Sequence, residues 1–260
     1  MASLTEASTP TGATIDIQPG WRQGRGAFGG LTIATMIRGA SAAVADPTRK
    51  VRSVTAELFA AVEPGPAELT IEALRRGRSL SAVRVLLSQN TPKAHAVVVL
   101  AVSRTGAGPV AWQDLQPPPV ASWRQLEPAP MNGPSFPEFA QHFEYRFVEG
   151  VPFTGGEARA IGWVRPTNPG PARDAGYIAA LADAWFPATL VRLTGPRQIA
   201  TITYTLEIIA GVEGLDPDAP LLYRGTVPVC ADGYFVETRE LWGEDGRLVA
   251  LNHQTFAIID

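Results

Sequence analysis

The pattern of apolar and polar positions divides the chain into two similar runs. Two stretches are apolar or small on every side, as a helix enclosed by other structure would be. The first is 29–46, "GGLTIATMIRGASAAVAD", with Arg38 as its one interior charge. The second is 174–193, "DAGYIAALADAWFPATLVRL", which carries Asp183 inside it. Each is followed by four segments that alternate and are rich in β-branched residues, the pattern of strands. After the first come "VRSVTAELFAAV", "AELTIEALRRG", "SLSAVRVLLSQN" and "KAHAVVVLAVSR". After the second come "QIATITYTLEIIA", "APLLYRGTVPVC", "GYFVETRELWGEDG" and "RLVALNHQTFAIID". Shorter strands are expected before the helices, at 13–17, 143–148 and 159–164.

The order is strand, buried helix and four long strands, then the same again. It predicts an internal duplication of roughly 110–120 residues. Four consecutive strands joined by short turns, such as those at Gln89-Asn90-Thr91-Pro92 and Glu244-Asp245-Gly246, predict antiparallel pairing. The expected fold is therefore α+β, with two tandem antiparallel sheets, each wrapped around one long central helix. Residues 1–112 would form the first unit, 113–140 a Pro-rich linker and 141–260 the second unit.

Composition narrows the function classes. Of 260 residues 45% are hydrophobic and 18% charged, which supports a core and argues against disorder. A net charge of −3 gives no broad basic field for nucleic acid or an anionic membrane. Cys230 is the only cysteine, so neither an intrachain disulfide nor a cysteine-based metal site is available. The polar start "MASLTEASTPTG" lacks the apolar segment of a secretion signal, and no apolar run reaches the ~18 residues of a membrane span. The expectation is a cytoplasmic protein.

One motif is a decoy. Gly24, Gly26 and Gly29 fit G-x-G-x-x-G, with Asp46 downstream. A dinucleotide site, however, needs alternating strands and helices, and here a run of strands follows. These glycines instead suit a tight turn into the helix that leaves its first amides free. There is no G-x-S-x-G, Walker loop or H-E-x-x-H, and His95, His142 and His253 are too scattered for a metal site. Around the turn "RRGRS", Arg76 and Arg78 either meet phosphates or are simply solvated.

Asp183 stands apart. It is the only charge between Asp174 and Arg192. Burying an unpaired carboxylate costs several kcal/mol, so such a group is paired, protonated or functional. Pro187, four residues on, has no N–H for the Asp183 carbonyl, so the helix bends or ends there. Aligning the copies sets Thr201 against Ser53, Gln254 against Leu100 and Asp183 near Met36. Acid, hydroxyl and amide in the second copy thus replace mostly apolar residues in the first. One working and one decayed site would give that difference.

These stretches resemble the double hotdog acyl-CoA thioesterases of the acyl-CoA thioesterase II type. The resemblance spans nearly the whole chain. It rests on "GAFGG" and "LRRGRSLSAVRVLLSQN" in the first copy, and on "YIAALADAWF", "QIATITYTLEI" and "GRLVALNHQTFAI" in the second. It implies a double hotdog fold and catalytic positions at Asp183, Thr201 and Gln254. Where enterobacterial members carry Asp-His after the Thr, this chain has Thr203-Tyr204. On this reading Asp183 is a base, Gln254 and Thr201 orient a water, and first-turn amides near Gly29 and Gly30 polarise a carbonyl. In the last strand Asn252 and Gln254 share one face, with Asn252 in support, while His253 and Thr255 face the other way. The expected substrate is an acyl-CoA, with no metal or other cofactor required. The resemblance also implies association of copies into a homo-oligomer. Two other readings remain: a non-catalytic acyl-binding hotdog protein, and an acyl-CoA hydratase, whose chemistry usually needs a His beside the carboxylate.

Overall fold

The computed structural model describes residues 2–104, 111–131, 133 and 136–259. The first half contains α1 (Leu4–Ser8), β1 (Thr14–Ile17), β2 (Arg22–Gln23), β3 (Gly26–Ala27) and α2 (Gly29–Val44). Four strands follow: β4 (Lys50–Leu58), β5 (Gly65–Arg76), β6 (Leu80–Gln89) and β7 (Thr91–Ala101). The second half contains β8 (Phe143–Glu149), β9 (Arg159–Pro166), α3 (Ala175–Ala184) and α4 (Thr189–Arg192). It ends with β10 (Gln198–Ile208), β11 (Leu221–Ala231), β12 (Tyr234–Trp242) and β13 (Leu248–Ile259). Every strand expected from alternation is present, each within a few residues of its expected ends.

The two expected sheets are instead one. β4 pairs antiparallel with β10, from Ser53↔Glu207 to Glu57↔Thr203. The result is an 11-stranded sheet, ordered β1-β5-β6-β7-β4-β10-β13-β12-β11-β9-β8. Joining the halves this way satisfies two sheet edges that would otherwise expose unpaired N–H and C=O groups. The larger of two core clusters spans both halves, drawing Leu31, Ile37 and Val85 from the first and Tyr177, Leu181 and Tyr204 from the second. The segment 113–140, expected as a linker, is docked in its described part. Val120, Trp123 and Leu126 pack on Trp163, Trp242 and Leu248, and Trp163 Nε1 donates to the Ala121 carbonyl at 3.1 Å.

The second helix is also not one long element. α3 stops at Ala184, Trp185 is extended, and α4 begins only at Thr189. Pro187 explains the break, because it offers no amide to the Asp183 carbonyl. The freed end is sealed by side chains: Arg239 Nη1 donates to Ala182 O at 2.9 Å and the Tyr145 hydroxyl to Ala184 O at 2.9 Å.

α2 and α3 pack against each other in opposite directions. Gly30, early in α2, lies beside Ala180, late in α3; a Cβ there would come within 3.0 Å of the Ala180 Cα. At the other end the buried Arg38 reaches Asp174, which caps α3, through Nε and Nη2 at 3.0 and 3.1 Å. Its Nη1 also donates to the carbonyls of Leu4 and Thr5 and to the Ser8 hydroxyl. The one charge inside the first apolar stretch therefore ties α1, α2 and α3 together. Losing Arg38 takes a donor from the buried Leu4 carbonyl and Ser8 hydroxyl, while the exposed Asp174 carboxylate returns to water. Arg38→Met is expected to lower stability by about 1–3 kcal/mol, seen as a lower urea midpoint with an unchanged slope. A midpoint equal to that of the parent chain would show that the pair does not hold the helices.

Candidate active site

β13 supplies the polar residues that alternation placed on its inner face. Asn252 and Gln254 are buried, His253 is exposed and Thr255 is half-buried. Gln254 is 1% exposed, and its Nε2 donates to Asp183 Oδ1 at 2.9 Å and to Asn252 Oδ1 at 2.9 Å. Asn252 in turn donates to the Thr205 carbonyl. With both N–H bonds committed, Gln254 Oε1 faces the Thr201 hydroxyl, which donates to it at 3.4 Å, a long and weak bond.

Thr201 reaches this face only because β10 is irregular. Strict alternation would set Thr201 and Tyr204 on opposite faces. The pairing with β13 shifts between Thr201 and Thr203, so Thr201 lies across from Phe256 while Tyr204 lies across from Gln254. The extra residue, Ile202, turns Thr201 inward. β4 shifts at the matching place, between Val51 and Ser53. Superposing the bulges aligns Thr201 with Val51 and Gln254 with Val98, rather than with Ser53 and Leu100. The contrast between polar second half and apolar first half is thereby stronger than expected.

Asp183 is 7% exposed, on the last turn of α3. Its Oδ2 faces α2, where a Cβ at Gly29 would come within 2.9 Å. Any side chain at position 29 would push the carboxylate away. The Gly30 N–H also turns its positive end toward the acid. Tyr204 donates its hydroxyl to Ala179 O at 3.1 Å and holds α3 on the sheet.

Asp183 is not the lone charge the sequence reading described. Arg239 Nη1 lies 3.3 Å from Asp183 Oδ1, and Arg239 Nε lies 3.0 Å from Glu237 Oε1. Arg239 is 1% exposed and Glu237 0%. Glu237 also accepts from the Tyr223 hydroxyl at 2.7 Å and the Ala188 N–H at 3.0 Å. A signal for this pair existed in "FVETREL": Phe235, Glu237, Arg239 and Leu241 share the buried face of β12, so two charges sit in an apolar row.

Arg76 and Arg78 are not brought to the acid. Both are exposed, and their turn is held by Arg49, which donates to Gly77 O at 2.9 Å and Arg78 O at 3.2 Å. Arg49 follows the C-terminus of α2, whereas Asp183 meets its N-terminus, and 16 helical residues span about 24 Å. No histidine hydrogen-bonds to Asp183 among the described residues. His142 stacks on Trp21, and His95 pairs with Glu57. Two open surface concavities of about 290 Å³ lie elsewhere, one beside Leu215 and Glu244, the other beside Lys50 and Arg173.

Burial pushes the Asp183 carboxyl above the usual aspartate range, against the pull of Arg239, Gln254 and Gly30, while Glu237 adds to the rise. Burial likewise disfavours the Arg239 charge, but Glu237, Tyr223 and Asp183 outweigh it and hold the guanidinium firmly protonated. The sign for stability follows. With the folded pKa above the unfolded one, the native state binds more protons between them, and stability falls as pH rises through that window. Above it the ionised acid bears the cost of burial, offset in part by Arg239. Relative to the parent chain, the melting temperature of Asp183→Asn is therefore expected to rise from acid, below the ordinary aspartate pKa of about 3.9, to pH 7–8. A difference between the two chains that does not change with pH would contradict this direction.

The chain aligns end to end with a conserved hot dog fold protein of unknown function from Alicyclobacillus acidocaldarius (TM-score 0.85, 23% identity, covering 100% and 99% of the two chains). A protein from Thermobifida fusca YX aligns at TM-score 0.82 and 22% identity, covering 100% and 98%. An acyl-CoA thioesterase II from Mycobacterium marinum aligns at 0.71 and 20%, covering 89% and 88%. At these identities the likeness establishes the hotdog fold and no more. No curated protein matches. No helix among the described residues is long and apolar enough to cross a membrane. Residues 17–104 match the acyl-CoA thioesterase N-terminal domain and residues 113–258 the acyl-CoA thioesterase C-terminal domain, so the chain belongs to the acyl-CoA thioesterase family.

Proposed function

We propose that this protein hydrolyses an acyl-CoA to a free carboxylic acid and CoA, with Asp183 as the base that activates water. The observation that carries the proposal is the 2.9 Å bond from Gln254 to Asp183, made in a buried setting at the end of α3. Burial raises the proton affinity of this carboxylate against the pull of Arg239 and Gln254, which suits it to act as a base. Nothing in its immediate surroundings demands a covalent intermediate.

The chemistry asks little of the site. A thiol has a reference pKa of about 8.5, so CoA leaves as thiolate without a strong general acid. Asp183 takes a proton from water as the oxygen attacks the thioester carbon. Collapse of the tetrahedral intermediate breaks the C–S bond, and the proton passes from Asp183 to solvent or thiolate. Thr201 and Gln254 orient the water; the long Thr201–Gln254 bond leaves the hydroxyl able to turn toward it. The Gly30 N–H faces the acid, so the Gly29 amide is the better donor to the thioester carbonyl. Asn252 fixes the orientation of the Gln254 amide. In this reading the two hotdog units correspond to residues 1–112 and 141–260, and only the second keeps a working set of side chains.

The assay is release of free thiol from acyl-CoAs of several lengths. Asp183→Asn is expected to lower kcat by about 10²–10⁴-fold. Gln254→Ala should cost about tenfold to a hundredfold and Thr201→Ala less, since each removes one orienting hydrogen bond of about 1–2 kcal/mol. Full turnover in both Asp183→Asn and Gln254→Ala would overturn the site. Saturable acyl-CoA binding by the parent protein without thiol release would overturn the activity.

A further inference from the structure

The buried pair on β12 has no part in the water-activation scheme, yet it clamps both sides of the break that carries Asp183. Arg239 Nη1 holds Ala182 O at 2.9 Å, just before the acid. Glu237 Oε2 holds the Ala188 N–H at 3.0 Å, just after Pro187. Between them the two side chains replace the helical bonds that the break removes. Arg239 alone touches both the backbone beside the acid and its carboxylate, at Oδ1.

We propose that Arg239 is a positioning residue for hydrolysis: its guanidinium keeps Asp183 ionised and aimed, and Glu237 keeps the guanidinium in place. This rests on reading Asp183 as the base.

The charged and titratable groups facing Asp183 are few. β12 contributes Arg239 and Glu237, and β8, β10 and β11 contribute Tyr145, Tyr204 and Tyr223. Burial keeps all three tyrosines neutral, so none can supply or cancel charge. The cation of α2, Arg38, pairs with Asp174 at the opposite end of α3. Arg239 is thus the sole cation among these groups, and Glu237 is its second anion. One guanidinium shared by two carboxylates leaves the acid ionised but still basic. Gln254 cannot substitute, because a neutral amide orients the carboxylate without offsetting its charge.

The test is the pH profile of kcat for the full chain, for Arg239→Gln, Arg239→Lys and Asp183→Asn, with KM measured at each pH. In Arg239→Gln the acidic limb is expected to move up by about one pH unit or more, so that kcat falls about tenfold on the acidic side of the limb and recovers in alkali. KM should stay within about threefold, because substrate does not touch the guanidinium. Arg239→Lys keeps a cation on a shorter reach, and its limb should fall between the other two. A purely structural role would instead lower kcat by one factor at all pH values with the limb unmoved, and that result would overturn the proposal. If Arg239→Gln does not fold, the Lys variant decides by the same criterion. Asp183→Asn separates the two readings. If it keeps turnover, the base assignment fails and this inference with it. If it is inactive while the limb of Arg239→Gln stays in place, only the role of Arg239 fails.

Discussion

A carboxylate taken out of water must be matched by donors or be protonated, and Asp183 sits at 7% exposure on the helix that adjoins the N-terminus of α2. Much of the local structure answers that demand. Gln254 and Arg239 donate to the same oxygen, the Gly30 N–H turns toward the carboxylate, and position 29 lacks a side chain so the other oxygen can approach α2. The donors come from α2, β12 and β13, so the acid is met only when the helices lie on a completed sheet. The site is a product of the tertiary fold rather than of any local motif.

Two irregularities in the fold serve the same end. Pro187, one turn past the acid, stops α3 at Ala184, which frees carbonyls that Arg239 and Tyr145 then bind. The bulge at Ile202 turns Thr201 to the face that Gln254 occupies. The first half keeps the corresponding bulge in β4, but there the inward residues are Val51 and Val98, both buried. One sheet thus presents the same geometry twice and places polar chemistry on it once.

Much of this was legible in the sequence. Alternation located the strands because each has one face on the core; Asp183 stood out as the one charge inside an apolar helix, and Gln254 as a polar residue within a largely apolar last strand. Asn252 followed by parity alone. What alternation could not show were features that depend on pairing between distant segments. The β4–β10 contact that merges the expected sheets leaves no mark on either strand's pattern. The bulge moved Thr201 against parity, and the alignment of the halves slipped by two residues for the same reason. For Arg76 and Arg78 the sequence left phosphate contact and plain solvation open, and only coordinates show them exposed at the end of α2 away from Asp183. Glu237 and Arg239 share the inward parity of an alternating strand, but nothing in that strand alone shows that they meet the end of α3.

The central claim is that Asp183 acts through water rather than by attacking the thioester itself. A single turnover in H₂¹⁸O with protein in excess over acyl-CoA measures this directly. The account predicts that the released acid carries one ¹⁸O atom and that Asp183 stays unlabelled. Unlabelled acid, with ¹⁸O found in the Asp183 side chain, would show that the carboxylate is a nucleophile and would contradict the account.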